Sequence, residues 1–250
     1  MEHQPLGPDA TAPTAATPRT AVVWAALRAE LARSAGRELS IVDVGGGTGG
    51  FAVPLAQAGH RVSVVDANPD ALAALNRRAA EAGVADRVSA VQADADDLGA
   101  VAAAGSVDLV LCHAVLEVVD DPAAVVAGMV AALRPGGAAS VIVANRAAAV
   151  LSRMINGQLG PARAALAEPS GPGRAPAPRR YDVTTATDLL SAAGLRVEQA
   201  HGIRVFVDLT PAAVAEADPQ ALTELELAVC DRAPYRDIAA QLHLLARASG

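Results

Sequence analysis

Five glycines fill the six positions from Gly45 to Gly50, with Thr48 among them, and Asp43 stands two residues ahead. Glycine serves where the chain turns with positive φ and where a ligand must approach the backbone closely. The loop follows a short apolar run, Ser40-Ile-Val-Asp-Val44, and leads into a helix, whose first N–H groups have no partner within the helix. Asp66 lies 19 residues after Gly47, at the end of the next apolar run. A carboxylate there would accept both ribose hydroxyls of a nucleoside lying across the strand ends. Asp94-Ala95-Asp96-Asp97 would meet an adenine edge or merely cap a helix, and His113 falls just beyond a fourth apolar run.

Two cofactors suit this pattern. Gly45-x-Gly47-x-x-Gly50 satisfies the dinucleotide fingerprint, which implies an NAD-dependent oxidoreductase. S-adenosylmethionine is favoured by the acid two residues before the first glycine, the Asp94–Asp97 segment, the Leu133-Arg-Pro-Gly-Gly137 turn and a helix ahead of the first strand. Asp43 is a ligand candidate, or it only pins the loop. If the methyl acceptor is a carboxylate, with a reference pKa of about 4, it is already ionised and needs no general base. It does need alignment and an arginine fork for its two oxygens, for which Arg204, Arg146, Arg153 and Arg180 are candidates. Arg204 sits inside the apolar run Ile203–Val207, read as a strand, where a charge requires a partner. Tyr181 follows the basic stretch and would help to position substrate. His113 would contact the cofactor, with a base role less favoured, and Glu117 reads as a helix-start residue. His3, His60, His201 and His243 show no ligand spacing, so no metal is expected.

The elements that would position these residues alternate along the chain. Apolar residues four apart at Val23, Leu27 and Leu31 predict a helix over Thr20–Ala35. Strands are predicted at Ser40–Val44, Arg61–Val65, Val88–Gln92, Val107–Leu111 and Ala139–Val143, separated by helices at Phe51–Ala58, from Pro69 to near Gly83, and from Pro122 to Leu133. Such alternation predicts a parallel sheet covered on both faces. Beyond it we read a helix at Ala147–Ile155, a long loop over Gly157–Arg180 and a helix at Thr184–Ala193. Strands at Leu195–Gln199 and Ile203–Val207, a helix at Ala212–Cys230 and a strand at Gln241–Ala246 follow. Residues 1–18, with four prolines, read as a disordered tail, and residues 19–250 as one domain: a glycine-loop half, 19–145, then a basic insert and C-terminal strands, 146–250.

The chain of 250 residues holds 61 alanines, no lysine, 20 arginines and 52% hydrophobic residues, which excludes wholesale disorder. No apolar run reaches the roughly 18–20 residues of a membrane span, Met1–Pro18 lacks the features of a secretory signal, and two cysteines make no zinc cluster. The protein is expected in the cytoplasm. A net charge of −7 argues against general nucleic-acid binding. Yet Arg146–Arg180 carries six arginines against one acid, and Val205–Asp237 seven acids against two arginines. The basic stretch would suit an anionic ligand, or it is a solvated face.

Leu111-Cys-His113-Ala-Val-Leu-Glu117-Val-Val-Asp-Asp121-Pro122, continued by Leu133-Arg-Pro-Gly-Gly137, resembles the bacterial tRNA 5-carboxymethoxyuridine methyltransferases. The similarity reappears at Met154–Gln158, Gly202–Phe206, and from Leu225-Glu226 through Cys230 to Pro234-Tyr235. It covers about residues 19 to 247. The resemblance implies a Rossmann-like class I methyltransferase fold with a seven-stranded, mostly parallel sheet. It also implies esterification of a modified wobble uridine with S-adenosylmethionine. Arg19 would meet the cofactor's methionine carboxylate, Gly45 and Gly46 would contact it from the loop, and Asp66 would hold its ribose. Ala95 and Asp96 would lie at the adenine, and His113 after the fourth strand. A lysine-rich run of the family is replaced here by Arg174, Arg179 and Arg180 among prolines, and few aromatics are present to stack a flipped base. A tRNA partner held through Arg146, Arg153, Arg174, Arg179 and Arg180 is the expectation. A small-molecule O- or N-methyltransferase and a cofactor-binding regulator without turnover are the alternatives.

Overall fold

The computed structural model describes residues 17–167 and 178–249. Seven strands form one sheet: β1 (Ser40–Val44), β2 (Arg61–Asp66), β3 (Val88–Gln92), β4 (Val107–His113), β5 (Leu133–Ala144), β6 (Leu195–Ile203) and β7 (Gln241–Ala248). Their order is β3-β2-β1-β4-β5-β7-β6. The first five strands pair in parallel, and β7 inserts antiparallel between β5 and β6.

The central strands are buried on both sides and alternate between two cores. Val42, Val110, Cys112 and Val141 face one of them, and Ile41, Leu109, Leu111 and Ile142 the other. Short runs rich in Val, Ile and Leu are what such strands require. On the first face pack α4 (Leu98–Val101), α5 (Pro122–Ala132) and α8 (Val183–Ala192), and on the second α1 (Ala21–Ala32), α2 (Ala52–Gln57) and α3 (Pro69–Glu81). Helix starts follow local chemistry. The Asn68 side chain accepts from the N–H of Asp70 and Ala71, and Asp121 from Ala123 and Ala124, each with proline at the next position.

Four expectations are corrected. The predicted helix Ala212–Cys230 is two, α9 (Ala212–Ala217) and α10 (Pro219–Val229), because Asp218-Pro219 ends one and caps the next. The long loop from Gly157 contains α7 (Leu159–Ala167), packed on α6 (Arg146–Ile155). Leu195–Gln199 continues to Ile203 as a single strand, whereas Val205–Val207 is not a strand. The Arg134–Gly137 turn lies inside β5, where it bulges: Leu133 pairs with Val107 and Ala138 with Leu109. Residues 1–16 of the expected tail, and Arg174, lie outside the described residues.

Candidate active site

The glycine loop begins where β1 ends, at the carboxyl edge of the sheet. Gly45, Gly47 and Gly49 have φ of +66°, +54° and +79°. A Cβ on Gly46 would lie 2.6 Å from the Asp43 carboxylate, and one on Gly45 would run into the Val115 side chain. Side chains are therefore excluded at Gly45 and Gly46, where the backbone stays open to a ligand. Asp66 completes the cradle: one carboxylate oxygen accepts the Gly47 N–H and the other the Asn68 N–H, both at 2.9 Å. Its remaining lone pairs are available to hydroxyls. Beside it a cleft of about 510 Å³ is lined by Gly45, Asp66, Asp94, Ala95, Asp96 and Val118. The pieces read separately from the sequence thus converge on one groove.

Asp43 lies beneath the loop, 2% exposed. Burial and the neighbouring Asp66 charge push its carboxyl up to about 7. Its Oδ2 is buried without a hydrogen-bond partner among the described residues. An unsatisfied buried oxygen costs free energy unless a donor reaches it, so this atom retains acceptor capacity beneath the loop.

Helix α1 closes over the loop. Trp24 packs on Phe51, the residue after Gly50, with ring centroids 5.0 Å apart, and Phe51 meets the His113 ring edge-on at 4.7 Å. Arg19, just before α1, pairs with one oxygen of Asp208 at 2.8 Å, and Arg204 pairs with the other. Arg204 follows the end of β6, whose Ile203 pairs with Gln241 opposite the close of β5, so it reaches the same edge of the sheet as the glycine loop. Its φ is +60° and its Nε is buried without a partner among the described residues. The following N–H groups of Val205, Phe206 and Val207 all donate to the fully buried carboxylate of Glu226, at 2.9, 2.8 and 2.8 Å.

Residues 42–141 match the methyltransferase domain family. Across 92% of this chain and 87% of theirs, two tRNA 5-carboxymethoxyuridine methyltransferases of Escherichia coli are similar: that of O157:H7 is 31% identical and that of strain K12 is 30%. This chain belongs to the tRNA 5-carboxymethoxyuridine methyltransferase family. It is an S-adenosylmethionine-dependent enzyme. A ubiquinone biosynthesis O-methyltransferase of Cupriavidus pinatubonensis is 35% identical, over only 42% of this chain and 41% of its own. The fold recurs in magnesium protoporphyrin IX methyltransferase from Synechocystis PCC 6803 with bound SAH, at a TM-score of 0.60 and 17% identity, covering 93% of this chain and 84% of that one. It recurs also in an S-adenosylmethionine-dependent methyltransferase from Mesorhizobium loti, at 0.59 and 23%, covering 90% and 97%. The glycine cradle, Asp66 and the orphaned Asp43 oxygen fit S-adenosylmethionine.

Two sequence assignments, Tyr181 and Glu117, change in this setting, and the less favoured base role of His113 falls away. Tyr181 is a core residue, 1% exposed, and its hydroxyl donates to the Leu116 carbonyl at 3.1 Å. Burial pushes it up to about 12, so it neither faces substrate nor exchanges a proton. His113 is pushed by burial down to about 3, which leaves it neutral and too weak a base to serve at pH 7. Glu117 is not a helix-start residue but a buried carboxylate that accepts the Ala144 N–H at 2.6 Å.

The basic stretch is partly spent inside the protein. Arg179 donates to the carbonyls of Val119 and Asp120, pinning a wall of the cleft. Arg146 donates to the Leu166 carbonyl at 2.5 Å, and Arg153 to that of Ala149 in its own helix at 2.8 Å. Sequence reading overlooked Glu226 and Asp208. Glu226 belonged to a quoted motif, but nothing local distinguishes a loop-capping carboxylate from a surface one.

Proposed function

We propose that this enzyme esterifies the carboxylate of 5-carboxymethoxyuridine in tRNA, with Arg204 holding the acceptor. The carrying observation is that similarity to the two E. coli relatives runs through the C-terminal half, where the Arg204 turn is built onto Glu226. Small-molecule relatives of the ubiquinone pathway align over less than half of the chain.

S-adenosylmethionine supplies an electrophilic methyl group on a sulfonium. Asp66 holds its ribose, Ala95 and Asp96 border its adenine, Arg19 meets its carboxylate, and Asp43 and His113 lie at its amino-acid end. Asp208 orients the Arg204 guanidinium, so the fork is preorganised before the acceptor arrives. The acceptor is already an anion at neutral pH, and a neutral His113 matches a reaction that releases no proton at the attacking atom. Esterification removes the charge that Arg204 recognises, which weakens its hold on the product. The tRNA backbone would meet Arg146 and Arg153 of α6, Arg163 of α7 and Arg180 just ahead of α8, and such a substrate places the reaction in the cytoplasm.

The test is transfer of labelled methyl to tRNA from cells lacking this enzyme, run beside a metabolite extract. We expect label in tRNA that mild alkali releases, as for an ester. Alkali-stable label, or label confined to metabolites, would overturn the proposal.

A further inference from the structure

Four adjacent strands each contribute one polar side chain to a row across the sheet face beneath α1. His113 Nε2 lies 2.9 Å from Ser140 Oγ, Ser140 Oγ lies 2.9 Å from His243 Nε2, and His243 Nδ1 lies 3.1 Å from His201 Nδ1. The row therefore runs through β4, β5, β7 and β6 in spatial order. Ser140 and His243 are fully buried and His201 is 4% exposed. Around them the same face presents Leu111, Ile142, Leu245 and Ile203. Buried polar groups in such surroundings are costly unless every partner is in place. At one end of the row, His113 Nδ1 is buried without a hydrogen-bond partner among the described residues. His113 also touches Phe51 behind the glycine loop, and the next residue, Ala114, lines the cleft.

The chemistry of the row restricts it to two states. Burial keeps His113 and His243 well below the ordinary histidine range, so both rings are neutral at pH 7 and each carries one N–H. Only one proton fits between the two Nδ1 atoms of His201 and His243. If His243 donates there, its Nε2 accepts from the Ser140 hydroxyl, Ser140 accepts from His113 Nε2–H, and His113 Nδ1 is a bare acceptor. If His201 donates, every bond reverses and His113 Nδ1 carries the proton. The nitrogen at the site end is thus dictated from three strands away.

We propose that Ser140 and His243 are positioning residues for methyl transfer, fixing the ring plane and tautomer of His113 so that Nδ1–H is presented to the bound ligand. The donor state is selected because carboxylates, on the cofactor's amino-acid end and on the acceptor, only accept hydrogen bonds. The proposal rests on the placement of His113 at the cofactor given under Proposed function.

The experiment is nitrogen-15 spectroscopy of ring-labelled histidine in the full chain with S-adenosylhomocysteine, alongside affinity and turnover. Wild type should show His113 as a single Nδ1–H tautomer. Ser140→Ala should give a mixture and weaken both S-adenosylhomocysteine affinity and kcat/KM about tenfold, the loss expected for one buried partner. Ser140→Thr, which keeps the hydroxyl, should restore the single tautomer. Combined with His113→Phe, Ser140→Ala should add no further loss, because it acts through that ring. His243→Phe approaches the row from the other side and should mimic Ser140→Ala. If either variant lowers Tm yet leaves the His113 tautomer and ligand affinity as in wild type, the row is packing alone and the proposal fails. If His113→Phe itself binds and turns over as wild type, it is the placement of His113 at the cofactor that fails.

Discussion

Glu226 holds open the turn that Arg204 begins. Its two oxygens accept three consecutive N–H groups, those of Val205, Phe206 and Val207, from within a fully buried setting. Glu226→Gln exchanges one oxygen for a donor that faces an N–H, so at least one bond is lost and one repulsion gained. We expect a loss of about 2–4 kcal/mol in denaturant unfolding, and turnover reduced about tenfold or more as Arg204 moves. Affinity for S-adenosylhomocysteine, held mainly by the glycine loop and Asp66 and linked to this turn only through the Arg19–Asp208 pair, should fall by much less than turnover. Equal losses of cofactor affinity and turnover would show that Glu226 only maintains the fold.

Arg204 occupies the left-handed region, with φ of +60°, where a side chain costs about 1–2 kcal/mol. Glycine removes that cost and adds some unfolded-state entropy. Arg204→Gly should therefore leave thermal stability within about 1 kcal/mol of wild type while abolishing ester formation. Arg204→Lys keeps the charge without the fork and should recover only a small part of the activity. A glycine variant with normal turnover would remove Arg204 from the acceptor site.

How much of this was legible beforehand follows from where each interaction is local. The loop from Gly45 to Gly50, Asp66 and the segment around Asp96 were readable because glycine content and strand ends are written in adjacent residues. The chain order of the strands was readable for the same reason, as was Pro69 at a helix start. Arg204 was singled out correctly as unusual but placed in a strand, because Ile203–Val207 is apolar and the Glu226 carboxylate that satisfies its backbone comes from α10. Tyr181 looked available because it follows a basic stretch, yet it fills the core beneath Leu116. The row from His113 to His201 joins four strands and leaves no periodic trace in the sequence.

With Asp43 at the cofactor's ammonium, as proposed, cofactor binding should depend on pH. Its folded-state value of about 7 lies above the ordinary 3.8, so the folded protein retains a proton that the unfolded chain gives up. The stability linked to this proton is fully present below about pH 4 and lost as pH rises through about 7. A ligand ammonium at the orphaned Oδ2 would favour the ionised form. Binding of S-adenosylhomocysteine near pH 6 should then release close to one proton, measurable by calorimetry in buffers of different ionisation enthalpy. Affinity should rise with pH and level off above about 7. Asp43→Asn should abolish the proton release, flatten the pH dependence and lower the affinity at pH 8. Release of a proton undiminished in that variant would assign it to another group.

The basic stretch supplies the remaining prediction. Arg179 is a poor probe of tRNA binding, because its guanidinium holds the carbonyls of Val119 and Asp120 at the cleft wall. Arg153, Arg163 and Arg180 are better probes, since none of the three lines the cleft. Each phosphate contact should contribute a log–log salt slope of roughly −0.7 to −0.9 to tRNA affinity. Replacing all three with Ala should reduce the magnitude of the slope by about two to three units, with S-adenosylhomocysteine affinity unchanged. Arg204→Gly should do the reverse, leaving the slope intact while turnover disappears, because it would engage the reacting carboxylate and not the backbone. If the triple variant binds and methylates tRNA like wild type from low to high salt, the nucleic acid lies on another face of the protein.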